Sequence, residues 1–184
     1  MLNLRQVEKE FLASHVGAGD TVVDFTMGNG NDTLWLSGAV GPTGKVYAFD
    51  IQPEALYHTR KRLDDAGAAR NFSLILASHH KAKEYLPSSI RAGIFNLGFL
   101  PGGDRSVTTL CATTLPAIAD ACDLLAPGGA LLVAVYPGHA EGRREGEALE
   151  AFFASPDPKI CSVSCLRIVN SPDCPFFYLY EKNL

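Results

Sequence analysis

The stretch Val22-Val23-Asp24-Phe25-Thr26-Met27-Gly28-Asn29-Gly30 constrains this chain most, because a buried-strand pattern runs straight into a glycine turn. A helix is predicted to start at Asp32, and a second strand over residues 45–49 ends in Asp50. A glycine turn after one strand and an acid at the tip of the next is how a doubly wound sheet holds a nucleoside ribose. The small residues let a ligand approach the backbone, and the carboxylate accepts bonds from ribose hydroxyls. Thr33 stands where the phosphate-binding version of the turn has its third glycine, and Asp24 and Asp32 bring negative charge to it. Those acids would repel a diphosphate. S-adenosylmethionine carries a sulfonium and an ammonium and would not be repelled, so the pattern points away from a dehydrogenase and toward a methyltransferase.

The remaining pattern is that of one α/β domain spanning residues 1–184. Leu4, Val7, Phe11 and Leu12 recur at helical spacing in a first helix ending near Gly17. Strands are predicted over 21–25, 45–50, 72–76, 92–96 and 130–136, alternating with helices over 32–37, 53–63, 81–86, 107–125 and 141–153. Pro127-Gly128-Gly129 reads as the turn into the fifth strand. Residues 161–169 and 176–180 read as a closing antiparallel pair. The expected architecture is a three-layer, Rossmann-like sandwich around a seven-stranded, mostly parallel sheet.

Charge and composition limit the function classes. A net charge of −4 excludes indiscriminate nucleic-acid binding while leaving room for a local basic surface. No apolar run approaches the ~20 residues of a membrane span. The segment from Met1 to His15 mixes charged and apolar residues unlike a signal or transit peptide, which favours a cytoplasmic setting. The five cysteines form no C-x-x-C and read as reduced thiols. Cys161 and Cys165 alternate with apolar residues along a strand, so no metal site is expected.

In such a sheet the ligand sits outside the carboxyl ends of the strands. The candidates on the cofactor side are Asp24, Thr26, Gly28, Asn29, Gly30 and Asp32 from the first turn, Asp50 and Gln52 from the second, and Ser78 and His79 from the third. Asp32 also suits a helix cap, and Asn29 a left-handed turn residue. Asn96 ends an apolar strand, where a buried amide needs a hydrogen-bond partner; it either fixes the loop or, by resemblance to amino methyltransferases, orients an amine nucleophile through its side-chain carbonyl. The loop 98–103 would form the acceptor rim, with Phe99 a stacking face for a base. Asp104 is either a cap for the following helix or the group that receives the amine proton, and His139 is the other candidate proton acceptor. Tyr136 faces the same mouth. Arg105, Arg143 and Arg144 are candidate phosphate contacts, whereas Arg60-Lys61-Arg62 reads as a solvated helix face.

Several of these segments resemble a known family. They are Asp24-x-Thr26-x-Gly28-Asn29-Gly30-x-Asp32-Thr33, Phe49-Asp50-Ile51-Gln52-Pro53, Ser78-His79, Phe95-Asn96-Leu97-Gly98-Phe99-Leu100-Pro101-Gly102-Gly103-Asp104 and Tyr136-Pro137-Gly138-His139-x-x-Gly142. Together they resemble the "putative rRNA methylase" family of small class I S-adenosylmethionine-dependent methyltransferases, over most of the chain. That family includes enzymes that methylate the 5-aminomethyl group of the wobble uridine of tRNA. The resemblance implies S-adenosyl-L-methionine as cofactor, with the first motif on the methionine part, Asp50-Ile51-Gln52 on the ribose and adenine side, and Ser78-His79 on the adenine. It also implies a tRNA anticodon region as substrate and a homodimer. The sequence departs from the family at His80, commonly glutamate, at Phe99, often tyrosine, and at Cys174-Pro175, often Pro-Pro. The alternatives are a methyltransferase of an rRNA base or small metabolite, or a non-catalytic cofactor-binding protein.

Overall fold

The computed structural model describes residues 4–184, apart from the side chain of Arg5. The expectation about a targeting segment falls partly on residues 1–3, outside the described residues. The elements are α1 (Leu4–His15), β1 (Thr21–Asp24), α2 (Asn31–Val40), β2 (Lys45–Asp50), α3 (Pro53–Asp65), β3 (Phe72–Leu76), a 3-10 turn (His79–Glu84), β4 (Ile90–Asn96), α4 (Cys111–Leu124), β5 (Leu125–Val135), α5 (Ala140–Phe153), β6 (Cys161–Leu166) and β7 (Phe176–Lys182). The seven strands lie in the order β3-β2-β1-β4-β5-β7-β6. All neighbours pair in parallel except β5 with β7 and β7 with β6. This is the expected Rossmann-like sheet with its antiparallel end.

The sheet is buried on both faces, so its inner strands are nearly continuous apolar runs. Val22, Val46, Ile94 and Leu132 pack with Leu12, Leu36, Val40 and Leu63 from α1, α2 and α3. Val23, Phe49, Phe95 and Val133 pack on the other face with Ala82, Ile118, Ala121, Leu149 and Phe153, from the 3-10 turn, α4 and α5. The strand order reverses between β1 and β4, so their carboxyl ends diverge and open a crevice there.

Several boundaries differ from the sequence expectation: the short helix expected over 81–86 is a 3-10 turn over His79–Glu84, and three further differences bear on the site. The helix expected from residue 107 begins at Cys111. Residues 98–110 form a loop closed by a bridge between Phe99 and Thr108 and by the Thr109 N–H donating to the Gly98 carbonyl at 2.9 Å. The expected turn at Pro127-Gly128-Gly129 lies inside β5, where the register against β4 shifts between Ile90 and Ala92. The pairing passes from Ile90–Leu125 to Ala92–Ala130, so the Pro-Gly-Gly segment loops out of register within the strand, with Gly128 at φ 70°. The first closing strand stops at Leu166, short of residue 169.

Candidate active site

The crevice is a cleft of about 1000 Å³. Its rear wall is the glycine turn after β1. Gly28 and Gly30 take the left-handed conformations, at φ 48° and 77°, and every non-glycine residue described, Asn29 included, has negative φ. A side chain at Gly30 would meet Thr59 at 2.8–2.9 Å, so α3 packs directly against the turn. Thr59 donates its hydroxyl to the Gly28 carbonyl at 3.0 Å, and Arg62 Nε donates to the Asn29 carbonyl at 2.6 Å. Arg62 therefore braces the turn rather than only facing solvent, which corrects the sequence expectation. The Asn29 side chain ties the turn forward, donating to the Pro101 carbonyl at 3.1 Å.

Asp50, at the tip of β2, accepts from the Gly28 N–H at 3.0 Å and the Gln52 N–H at 3.0 Å. Burial pushes its pKa up, and the backbone N–H groups of Gln52, Gly28 and Ile51 pull the other way. An ionised carboxylate has about four lone-pair sites, so these bonds leave capacity for ligand hydroxyls. Ile51 is half exposed beside it and, with Ala77, gives the cleft an apolar shelf. His79 is buried edge-on against Phe95, and its Nε2 has no partner. Burial, then the neighbouring His80, lowers its pKa to about 4, so it is neutral near pH 7.

On the opposite wall Asn96 closes β4. Its backbone N–H donates to Thr26 Oγ1 at 2.7 Å, and its side-chain Nδ2 donates to Asp32 Oδ2 at 3.0 Å. A carboxylate can only accept, so this bond fixes which end of the amide faces Asp32 and leaves Oδ1 as the acceptor presented elsewhere. Asp32 lies in the first turn of α2 and is not its cap, because Gly30 holds that position. Phe99 stands at the mouth between Arg105, whose guanidinium carbon lies 5.4 Å from the ring centre, and His139, 5.9 Å away.

The loop 98–110 is held from behind by two glutamates on α5 of whose role the sequence shows no sign. Glu145, 1% exposed, accepts from the Thr114 hydroxyl at 2.6 Å and the Thr109 hydroxyl at 2.9 Å. Thr109 Oγ1 in turn accepts from the Gly98 N–H at 2.8 Å. Burial raises the Glu145 pKa, against the opposing pull of its two threonine bonds. Glu141 accepts from the Cys111 N–H at 3.0 Å and so caps α4 from a different helix. Spacing of four on a helix with Thr109 and Thr114 upstream carried no signal of this, since the partners meet only in three dimensions. Glu8 and Lys9 of α1 also line the cleft and were likewise unanticipated.

Thirteen of the expected site residues line the cleft: Thr26, Gly28, Asn29, Asp32, Asp50, Gln52, Ser78, His79, Asn96, Phe99, Arg105, Tyr136 and His139. Five stand elsewhere. Asp24 is wholly buried behind the turn, accepting from the Thr33 hydroxyl at 2.6 Å and the Thr26 N–H at 3.2 Å. Gly30 is buried against α3. Asp104 is exposed and neither caps α4 nor faces the cleft. It accepts from the Ser106 N–H at 2.8 Å, and the Ser106 bonds hold its carboxyl below the usual range, which makes it a poor proton acceptor. Arg143 donates to the Pro137 carbonyl at 3.0 Å, and Arg144 pairs with Glu141 at 3.1 Å, so both are engaged in the α5 N-terminus. His139 caps α5, its Nδ1 accepting from the Gly142 N–H at 3.1 Å. That nitrogen is therefore not available to take a proton from a substrate.

Comparison with known proteins agrees with this architecture. The chain is 44% identical to the Arabidopsis thaliana "tRNA (mnm(5)s(2)U34)-methyltransferase, chloroplastic", the match covering 89% of this chain and 64% of that protein. It thus spans less than two thirds of that relative's length. A "putative rRNA-methylase" from Clostridium thermocellum superposes with a TM-score of 0.95 at 37% identity, over 99% of this chain and 98% of the other. A "putative methyltransferase" from Streptococcus mutans, in complex with SAH, superposes with a TM-score of 0.90 at 37% identity, over 99% of each chain. A family model matches residues 46–182, from the second strand to the last, and by that match the chain belongs to the family described as "Putative rRNA methylase".

Proposed function

We propose that this chain is an S-adenosylmethionine-dependent methyltransferase, built as one domain, that methylates the 5-aminomethyl group of the wobble uridine in tRNA. The observation that carries this is the pairing, across one cleft, of a nucleoside wall built on Asp50 with an amide wall built on Asn96. The cofactor fits the residues present. Asp50 offers free lone pairs to ribose hydroxyls, Ile51 and Ala77 offer an apolar surface to an adenine, and the buried, unpartnered His79 Nε2 offers a polar contact at its edge. The acidic surroundings suit a cationic sulfonium and ammonium better than a diphosphate. The Streptococcus mutans relative in complex with SAH, the demethylated product, supports the same choice, and the Arabidopsis relative supports the tRNA acceptor.

When bound, the cofactor supplies an electrophilic methyl group on sulfur. The residues of this chain do the rest. Asn96 Oδ1, held by the Asp32 bond at its other end, accepts an N–H of the acceptor amine and directs the nitrogen lone pair. Alignment of this kind can contribute several kcal/mol without any metal. The amine must be neutral to attack, because its lone pair forms the new N–C bond as the C–S bond breaks. Asp32 lies in the cleft wall against Asn96 and replaces Asp104 and His139 as the carboxylate placed to take the amine proton. Phe99, with Arg105 beside it, offers the base a stacking face.

Cytoplasmic location and a homodimer belong to the same proposal. Among the described residues no helix is long and apolar enough to cross a membrane. Nucleoside analysis of total tRNA from a strain lacking the gene tests the acceptor. Accumulation of 5-aminomethyl(-2-thio)uridine, reversed by the gene, is expected. An unchanged profile would shift the acceptor to rRNA or a metabolite.

A further inference from the structure

Two buried polar atoms on the acceptor side of the cleft have no partner, His139 Nε2 and Thr108 Oγ1. Both residues line the cleft, and both touch Phe99, His139 through its ring and Thr108 through the backbone bridge. A buried polar group left unpaired is costly, and clustered orphans mark a place where a ligand supplies the missing bond.

The protonation pattern of His139 follows from its backbone. The Gly142 N–H can only donate, and it points at Nδ1 at 3.1 Å. Nδ1 must then carry a lone pair, which in a neutral imidazole puts the hydrogen on Nε2. Nε2 is thus a donor without an acceptor. It is also close to the loop after Asn96, since a Cβ built on Gly98 would lie 4.0 Å from it. Gly98 has φ 146°, a conformation that side chains rarely adopt, and nothing but hydrogen stands there between the strand-four loop and the imidazole.

The loop side of the cleft thus holds the Asn96 Oδ1 acceptor and, buried between Gly98 and Gly142, the His139 Nε2–H donor, with Thr108 joined to Phe99 through the backbone bridge. We infer that His139 is a specificity-determining donor that reads a carbonyl oxygen adjacent to the reacting amine, with Thr108 as a second contact to the base edge. This rests on the acceptor proposed above. In a 5-aminomethyluracil the amine and the 4-carbonyl oxygen are neighbours on one edge, so the amine donates to Asn96 while the oxygen accepts from His139. A cytosine ring presents an amino group at that place, and two donors would face each other without an acceptor between them. A site built to bond one group rejects an analogue that lacks it more strongly than a merely apolar pocket does.

The test uses two anticodon stem-loops, one with 5-aminomethyluridine and one with the same nucleoside lacking the 4-oxygen, in single-turnover methylation at saturating S-adenosylmethionine. The protein variants are wild type and His139→Asn, whose shorter amide still accepts from the Gly142 N–H but ends short of the cleft. Thr108→Val, which keeps shape and loses the hydroxyl, is measured alongside. Wild type is expected to methylate the deoxo substrate at least about tenfold more slowly. His139→Asn should lose a similar factor on the oxo substrate and little more on the deoxo one. Thr108→Val should slow the oxo substrate while thermal melting and cofactor affinity stay near wild type. Equal wild-type rates on both RNAs, or an equal loss by His139→Asn on both, would overturn the assignment. So would a His139→Asn effect confined to cofactor affinity. Methylation of neither stem-loop, with another RNA or metabolite methylated instead, would show that the acceptor proposal had failed and the inference with it.

Discussion

Asp50 and Asn96 line the cleft at the carboxyl ends of the two strands that flank β1, and substituting each should perturb a different step. On the proposed assignment, Asp50→Ala removes bonds to ribose hydroxyls, each worth roughly 1.5–3 kcal/mol when charge-assisted. It also releases the Gly28 and Gln52 N–H groups. Cofactor affinity should fall about tenfold to a hundredfold or more, with a smaller change in saturated turnover. Asn96→Ala should leave affinity within a few-fold and lower turnover by on the order of a hundredfold, because misplacing a reacting atom by ~1 Å costs that much. Calorimetric titration beside single-turnover rates separates the two, and the reverse pattern would make the amide a cofactor ligand. Asp24 supplies a pH test. Burial, then the nearby Asp32, raises its pKa from 3.8 to about 7. The folded chain holds this proton more tightly than the unfolded one, so the contribution to stability is full below pH 3.8 and is lost as pH rises through about 7. Asp24→Asn should flatten the fall in melting temperature between those limits. Parallel wild-type and variant curves would show that Asp24 is ionised throughout.

At the scale of elements, the cleft wall after β1 and β2 is made by local sequence and the wall formed by the loop 98–110 is not. The glycine turn, β2 and Asp50 were legible because strand, turn and helix signals lie next to one another in the chain, and the acid sits at a fixed offset. The loop over 98–103 is legible from its glycines and prolines, but its extension over 107–110, where a helix is expected, is not, because its order comes from distant groups. Thr109 and Thr114 find Glu145, and the Cys111 N–H finds Glu141, across some thirty residues of chain. Asp104 and His139 were misjudged for the same reason. Their chemistry is set by the backbone N–H each accepts, Ser106 and Gly142, and that is visible only in the folded loop. Glu145→Ala should strand two threonine hydroxyls, at roughly 1–3 kcal/mol for each that stays dry. A loss of about 2–4 kcal/mol in denaturant unfolding, with turnover impaired more than cofactor affinity, is expected. Wild-type stability would mean that the loop stands without this bridge.

For the molecule as a whole, the mostly parallel sheet and its antiparallel end were legible from the alternation of strands and helices, whereas the strand order, with the reversal between β1 and β4 that opens the cleft, emerges only in the fold. The part played by α1 was not legible either, since nothing in an amphipathic pattern tells which strand ends it overhangs. A net charge of −4, with Lys9 and Arg105 among the cleft residues, limits how much RNA backbone the protein can hold. Binding to an anticodon stem-loop should weaken with salt along a shallow slope, reflecting a few phosphates, where each neutralised phosphate adds about 0.7–0.9 to the slope. A slope like that of a many-contact DNA repressor would show a basic surface that charge alone does not predict. The central claim is tested most directly by incubating the purified chain with S-adenosylmethionine and tRNA carrying 5-aminomethyl-2-thiouridine, then resolving the nucleosides by mass spectrometry. The account predicts conversion to the N-methylated nucleoside with one SAH formed per methyl transferred, and no conversion of tRNA with unmodified uridine at that position. SAH formation with the 5-aminomethyl nucleoside left intact, or methylation of the unmodified uridine, would contradict it.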